Sequence, residues 1–256
     1  MTTVITQIQT KNPTELFSRF FKQKKLHDPI LTDMHSHILP ALDDGAKNMD
    51  ESINLIKGFI DLGYKKLIAT PHIMQDYYPN TVQAIREKKN GVEEEIKRRS
   101  LPVLIEVAAE YYLDEYLLET IHNGDELLLL SNKYILFEMS FMSESPFVKE
   151  FIFKMKSRGI TPILAHVERY TYYMDKLNAV EEIIERGALI QMNINSISGL
   201  YSRPVKKFAE KLIDAKFIHL LGSDCHNILH LKALKECRKK KYYEKAVHLP
   251  LLNNSL

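Results

Sequence analysis

The sequence predicts an α/β domain built on a parallel sheet, and three observations carry that prediction. From Ile30 onward, short apolar runs alternate with longer helical patterns, which is the signature of parallel strands joined by helical crossovers. Gly63, Gly159 and Gly187 each stand between a helical pattern and a strand, where a left-handed residue ends a helix at little cost. The chain is 256 residues long, enough for one such domain with a sizeable core. Seven strand–helix units suggest a closed, barrel-like arrangement, with an open doubly wound sheet as the alternative.

Residues 1–28 read as an N-terminal appendage to a single domain over 29–256. Asn12, Pro13 and Glu15 supply the cap, first-turn proline and acidic third position of a helix start. That helix would run to about Lys25, with Leu16, Phe17, Phe20 and Phe21 as an apolar stripe to pack on the main body or on a partner. Strands are expected at 30–35, 66–70, 103–108, 134–138, 161–165, 188–192 and 217–222. Helices are expected near 49–62, 80–99, 114–123, 146–158, 175–186, 203–215 and 231–246, the first of them capped by Asn48 with Glu51 three residues on. No internal repeat or low-complexity segment is visible.

Composition narrows the function classes. The formal net charge is +2, so no global field argues for nucleic acid or a membrane surface as partner. Cys225 and Cys237 lack metal-type spacing and are too few for a disulfide framework, which fits a reducing compartment. Met1 to Asn12 is polar, without the apolar core of a signal peptide, and no apolar run is long enough to span a bilayer. The expected address is the cytoplasm, without membrane insertion.

Chemistry-bearing side chains recur where the strands end. His35 and His37 close the first strand two residues apart, so their imidazoles point the same way. Asp43, Asp44 and Gly45 follow in the loop; the next strands end in His72, Glu110, Glu138, His166 and the amide Asn193, and the last in Asp224 and His226. In parallel barrels the reactive face lies at the carboxyl ends of the strands. Five histidines and carboxylates from four units therefore converge on one mouth. Nitrogen and carboxylate donors without cysteine suit Mn²⁺, Fe²⁺ or Zn²⁺, and their number exceeds what one ion needs, so two or three ions are expected. Glu110 is the candidate bridge between ions. Water held by such ions ionises near neutral pH and supplies hydroxide as nucleophile. Asp44 and His226 are candidate proton donors to a leaving group, with metal ligation as their other reading. Arg169, three residues beyond His166, could clamp phosphate oxygens in a fork; its plain reading is a surface salt bridge.

Asp33-Met34-His35-Ser36-His37, Asp43-Asp44-Gly45 and Thr70-Pro71-His72 resemble the opening motifs of the PHP (polymerase and histidinol phosphatase) superfamily. Ala109-Glu110-Tyr111-Tyr112, Phe137-Glu138, Ala165-His166-Val167-Glu168-Arg169-Tyr170 and Gly222-Ser223-Asp224-Cys225-His226-Asn227 continue the match. Within it the chain is most similar to the manganese-dependent protein tyrosine phosphatases of bacterial capsule and exopolysaccharide operons, from about residue 31 to 227. The resemblance implies a distorted (β/α)7 barrel and a trinuclear metal site. Its implied ligands are His35, His37, Asp44, His72, Glu110, Glu138, His166, Asp224 and His226, with Arg169 as phosphate contact. The implied substrate is the phosphotyrosine tail of a partner tyrosine kinase in polysaccharide export. One departure stands out: members commonly carry an arginine shortly after the final Asp-x-His-Asn, and here none occurs until Arg238, leaving His230 or Lys232 as substitutes.

Other features read as ordinary. A thiol phosphatase needs arginine six residues after its cysteine, and those positions are Leu231 and Tyr243. His219 reads as a satisfied core residue, His27, His122 and His248 have no partners in sequence, and Arg238 to Lys241 as a solvated helix face. Two further functions fit the same residues: a phosphatase for a small phosphomonoester such as histidinol phosphate, and a non-catalytic metal-binding partner of the kinase.

Overall fold

Alternate residues of the strands feed two separate cores. In the computed structural model, which describes residues 30–256, the strands are β1 (Thr32–Ser36), β2 (Lys66–Ala69), β3 (His72–Ile73), β4 (Leu104–Val107), β5 (Glu110–Tyr112), β6 (Tyr134–Glu138), β7 (Thr161–Leu164), β8 (Leu189–Asn193) and β9 (Leu220–Gly222). Met34, Ile68, Leu136, Ile163 and Leu220 belong to a small inner cluster, while Leu67, Ile135, Phe137, Leu164 and Leu221 join the larger core beneath the helices. Side chains alternate faces along a strand, so runs apolar on both faces suit a parallel sheet covered on one side and curled around its own filling on the other.

All the ladders are parallel, in the orders β1-β2-β4 and β3-β5-β6-β7-β8-β9. The expected strands 66–70 and 103–108 each stop one residue early and resume, β2 as β3 and β4 as β5. Pro71 lacks an N–H for the ladder, and the gap is crossed by bonds from Ala108 N to Ala69 O (2.9 Å) and Glu110 N to Pro71 O (3.1 Å). At the far edge, a parallel bridge pairs Ser36 with Cys225, and Asp224 N reaches His35 O at 2.8 Å. Buried Asn253 links the same two edges lower down, donating to Thr32 O and Leu221 O and accepting from Leu221 N. Residues beyond 246 had no expected part in this closure.

The helices are α1 (Met49–Asp61), α2 (Val82–Arg98), α3 (Glu115–Asn123), α4 (Val148–Ser157), α5 (Leu177–Glu185), α6 (Arg203–Asp214), α7 (Ile228–Cys237) and α8 (Lys241–Val247). The first six lie within two residues of their expected bounds. Asn48 caps α1 by accepting from Glu51 N at 3.0 Å, as its position predicts. The expected helix 231–246 is two helices, broken between Cys237 and Lys241, and the first begins earlier because Asn227 caps it through Leu229 N and His230 N. The appendage 1–28 and its expected helix lie outside the described residues.

Candidate metal centre

The carboxyl ends of the strands bring the nine sequence-predicted ligands to one cavity of about 640 Å³ or to its buried floor. His35 and His37, both fully buried on β1 and the turn after it, bring their Nε2 atoms to 3.3 Å of each other. An acceptor on the opposite nitrogen sets each ring: His37 Nδ1 donates to Asp43 Oδ2 at 2.7 Å and His35 Nδ1 to Gln191 Oε1 at 3.1 Å. His226 Nδ1 likewise donates to the carbonyl of Asp224 at 3.0 Å. With the proton fixed on Nδ1, the Nε2 lone pair of each is directed at the centre.

Four carboxylates face these nitrogens. Glu110, fully buried, places Oε1 2.9 Å from His166 Nε2, and Oε2 3.1 Å from His35 Nε2 and 3.3 Å from both His37 Nε2 and His72 Nδ1. Glu138 lies 3.0 Å from His72 Nδ1 and 3.5 Å from His166 Nε2. Asp224 Oδ1 is 3.4 Å from His37 Nε2, and Asp44 Oδ1 is 3.2 Å from His226 Nε2. The donor atoms form three overlapping groups, each within 4.8 Å: His37, Asp44, His72 and His226; His35, His37 and Asp224; His72, Glu110 and Glu138. His166 stands outside these groups and joins them through Glu110.

Carboxylates and imidazoles shift one another strongly in this cage. Burial alone would lower His35, but Glu110 and Asp224 outweigh it and raise the imidazole to about 9. Burial alone would raise Glu110, and the imidazoles of His35 and His72 instead hold it well below the usual carboxylate range. Without an ion, a proton on His35 Nε2 answers Glu110 Oε2 at 3.1 Å; a divalent cation would take the place of that proton. His72 Nδ1, buried without a hydrogen-bond partner yet facing Glu110 and Glu138, and the thiolate-free donor set fit an oxygen- and nitrogen-bound ion. Cys225 is excluded from the site: burial raises its thiol, which donates to Asn227 O at 3.5 Å.

Two glycines make room. A Cβ on Gly45 would meet His37 O at 2.1 Å, and one on Gly222 would meet His35 Cβ at 2.7 Å and Gln191 Nε2 at 2.8 Å. Arg169 follows His166 on a short 3-10 turn. Its guanidinium lies between the rings of Phe141 (4.3 Å) and Tyr201 (4.5 Å), and Nη1 donates to Asp224 Oδ2 at 3.1 Å. It lines the cavity rather than making a surface salt bridge. His230 also lines it, whereas Lys232 points to solvent.

The family model described as "Capsular polysaccharide synthesis, CpsB/CapC" matches residues 31–255. The chain belongs to the CpsB/CapC family. It is 28% identical over 198 residues to tyrosine-protein phosphatase YwqE of Bacillus subtilis, covering 77% of this chain and 78% of that protein. It is 28% identical over 230 residues to the putative tyrosine-protein phosphatase CapC of Staphylococcus aureus, covering 88% and 90%. Among solved structures, YwqE from B. subtilis and CpsB from Streptococcus pneumoniae, described as unique metal-dependent tyrosine phosphatases, superimpose with TM-score 0.77 at 26% identity over 88% of this chain and 91% of that one. Histidinol phosphate phosphatase from Lactococcus lactis shares the fold alone, with TM-score 0.51 and 10% identity over 81% and 91%.

This CpsB/CapC member supports its cage with residues that sequence reasoning left without a role. Gln191, fully buried, accepts from His35 Nδ1 and from His166 N (2.8 Å), and donates to Asn193 Oδ1 (2.9 Å). Asn193 passes the connection to Asp224 Oδ2 at 2.6 Å. Glu168 is fully buried too, accepting from Asn193 N and Ser196 Oγ; burial raises its carboxyl. A glutamine inside an apolar strand carries no motif, whereas Asp43 stood beside a predicted ligand and could have been found. His219 is the satisfied residue expected, accepting from Ile190 N at 3.1 Å. Replacing Gln191 by leucine frees the His35 ring, and metal affinity measured by titration is expected to fall ~10- to 100-fold. Unchanged affinity would remove the amide from any supporting role.

Proposed function

We propose that the chain is a metal-dependent protein-tyrosine phosphatase acting on the phosphotyrosine tail of a bacterial polysaccharide-export tyrosine kinase. One observation carries this reading: five imidazoles and four carboxylates gather at one cavity and its buried floor, with a stacked arginine in the wall. The names of the relatives, tyrosine-protein phosphatases of a capsule-synthesis family, agree with it. We take His35, His37, Asp44, His72, Glu110, Glu138, His166, Asp224 and His226 as ligands of two or three Mn²⁺ ions, with Fe²⁺ or Zn²⁺ as substitutes. Three overlapping donor groups support that count, and the two oxygens of Glu110 facing different imidazoles support its bridging role. The edge bonds between β1 and the segment after β9 support a distorted seven-stranded barrel in which β2 with β3 and β4 with β5 each make one interrupted strand. No helix among the described residues is long and apolar enough to cross a membrane.

Bound divalent ions supply Lewis acidity toward the phosphoryl oxygens and a nucleophile drawn from water at neutral pH. The chain's own residues do the rest. Arg169 receives the phosphoryl group with a guanidinium held flat by two rings. Asp44 and His226, paired at the edge of the cavity, serve first as ligands; protonating the leaving phenolate is the alternative role, open only to one that holds no ion. Burial would raise Asp44, but its hydrogen bond with His226 keeps the carboxyl below its usual range.

The test is chelation. Phosphotyrosine-peptide turnover is expected to fall to background after chelation and dialysis and to return with Mn²⁺, while thiol alkylation leaves it intact because both cysteines are buried. Activity that survives chelation but not alkylation would overturn the reading. Turnover confined to small phosphomonoesters, or absent with metal bound, would point to the other two functions.

A further inference from the structure

Two large side chains stand in water at the rim of a cavity whose wall is ionic on the ligand side and aromatic or methionine elsewhere (Met74, Tyr78, Tyr112, Phe141). Tyr77 is 72% exposed and Met142 77% exposed, and both line the cavity. Neither hangs on a loose loop. Tyr77 sits in a turn closed by Met74 N to Tyr78 O (3.0 Å) and Tyr78 N to Met74 O (2.7 Å), and the Tyr78 ring stacks on His72 at 5.3 Å. Met142 follows Phe141, whose ring covers Arg169 and whose carbonyl accepts from Thr171 N and Oγ1. Each exposed side chain is thus presented by a neighbour that touches the site itself.

A small hydrophilic phosphomonoester has no apolar surface to lay on Tyr77 or Met142 at the rim. The wall gains free energy only from a phosphoryl carrier that is itself apolar and extends outward to the rim. Resting on the phosphatase reading above, we propose that Tyr77 and Met142 are specificity-determining residues that grip the aryl ring and adjoining backbone of a phosphotyrosine-bearing peptide. A tyrosine face offers offset stacking to such a ring. A methionine is polarisable and adapts to variable flanking residues.

The experiment compares the Mn²⁺-loaded chain with Tyr77→Ser, Met142→Ser and the double variant on a phosphotyrosine peptide and on glycerol phosphate. The ratio of kcat/KM for peptide over glycerol phosphate is expected to fall about 5- to 30-fold per substitution, carried by KM. Anisotropy of a labelled peptide bearing a non-hydrolysable phosphonate analogue should weaken by the same factor, and Tyr77→Phe and Met142→Leu should restore it. A wild type that hydrolyses the peptide, with variants whose ratio and binding do not change, overturns this inference alone. A wild type that hydrolyses glycerol phosphate but not the peptide overturns the phosphatase reading and this inference together.

Discussion

Substituting Glu110 by glutamine will strip the chain of bound metal, lower peptide turnover at least ~100-fold and destabilise the metal-free fold. The side chain is fully buried and touches four imidazoles, those of His35, His37, His72 and His166. Glutamine keeps the volume but removes the charge that offsets the His35 imidazole raised to about 9. Deleting one partner of a buried charged set leaves the others uncompensated and costs about 3–5 kcal/mol. Denaturant unfolding with chelator present reads that loss, while metal content by mass spectrometry reads the ligand role. A variant that keeps wild-type metal stoichiometry and turnover within tenfold would exclude Glu110 as a bridge.

The candidate site was legible because most of its members stand at or just beyond a strand end, Asp44 in the following loop being the exception. An imidazole or carboxylate at that place in six of the seven units is a pattern in one dimension that the parallel sheet turns into a cage in three. Strand interruptions were less legible: Pro71 announced one, but nothing in Ala108-Ala109 marks the other, which follows from matching its neighbour across the ladder. The break after Cys237 was hidden by a basic run that suits helix and solvent equally. Gln191 was invisible for a different reason. A buried amide is chosen by the two groups it joins, His35 and the His166 backbone, and those come together only after folding. Exposure is likewise a property of the fold, and nothing in the sequence singles out Tyr77 and Met142.

Arg169→Lys is expected to reduce kcat/KM on a phosphotyrosine peptide by ~10²- to 10³-fold, close to the effect of Arg169→Ala. The guanidinium is planar, and its stacking between Phe141 and Tyr201 fixes the plane in which its remaining N–H groups face the cavity. One donor is spent on Asp224 Oδ2, which ties the fork to the ligand cage and leaves the others for phosphoryl oxygens. Lysine keeps the charge but neither stacks on two rings nor offers two parallel donors. The charge alone would predict a mild loss; the geometry predicts a severe one. Metal binding separates this role from a structural one, because Asp224 Oδ2 keeps its 2.6 Å bond from Asn193 when the arginine is gone. Metal content should therefore stay near that of the wild type while turnover collapses. A lysine variant that retains most of its kcat/KM, or an alanine variant that loses its metal along with its activity, would move Arg169 out of phosphate recognition and into support of the cage.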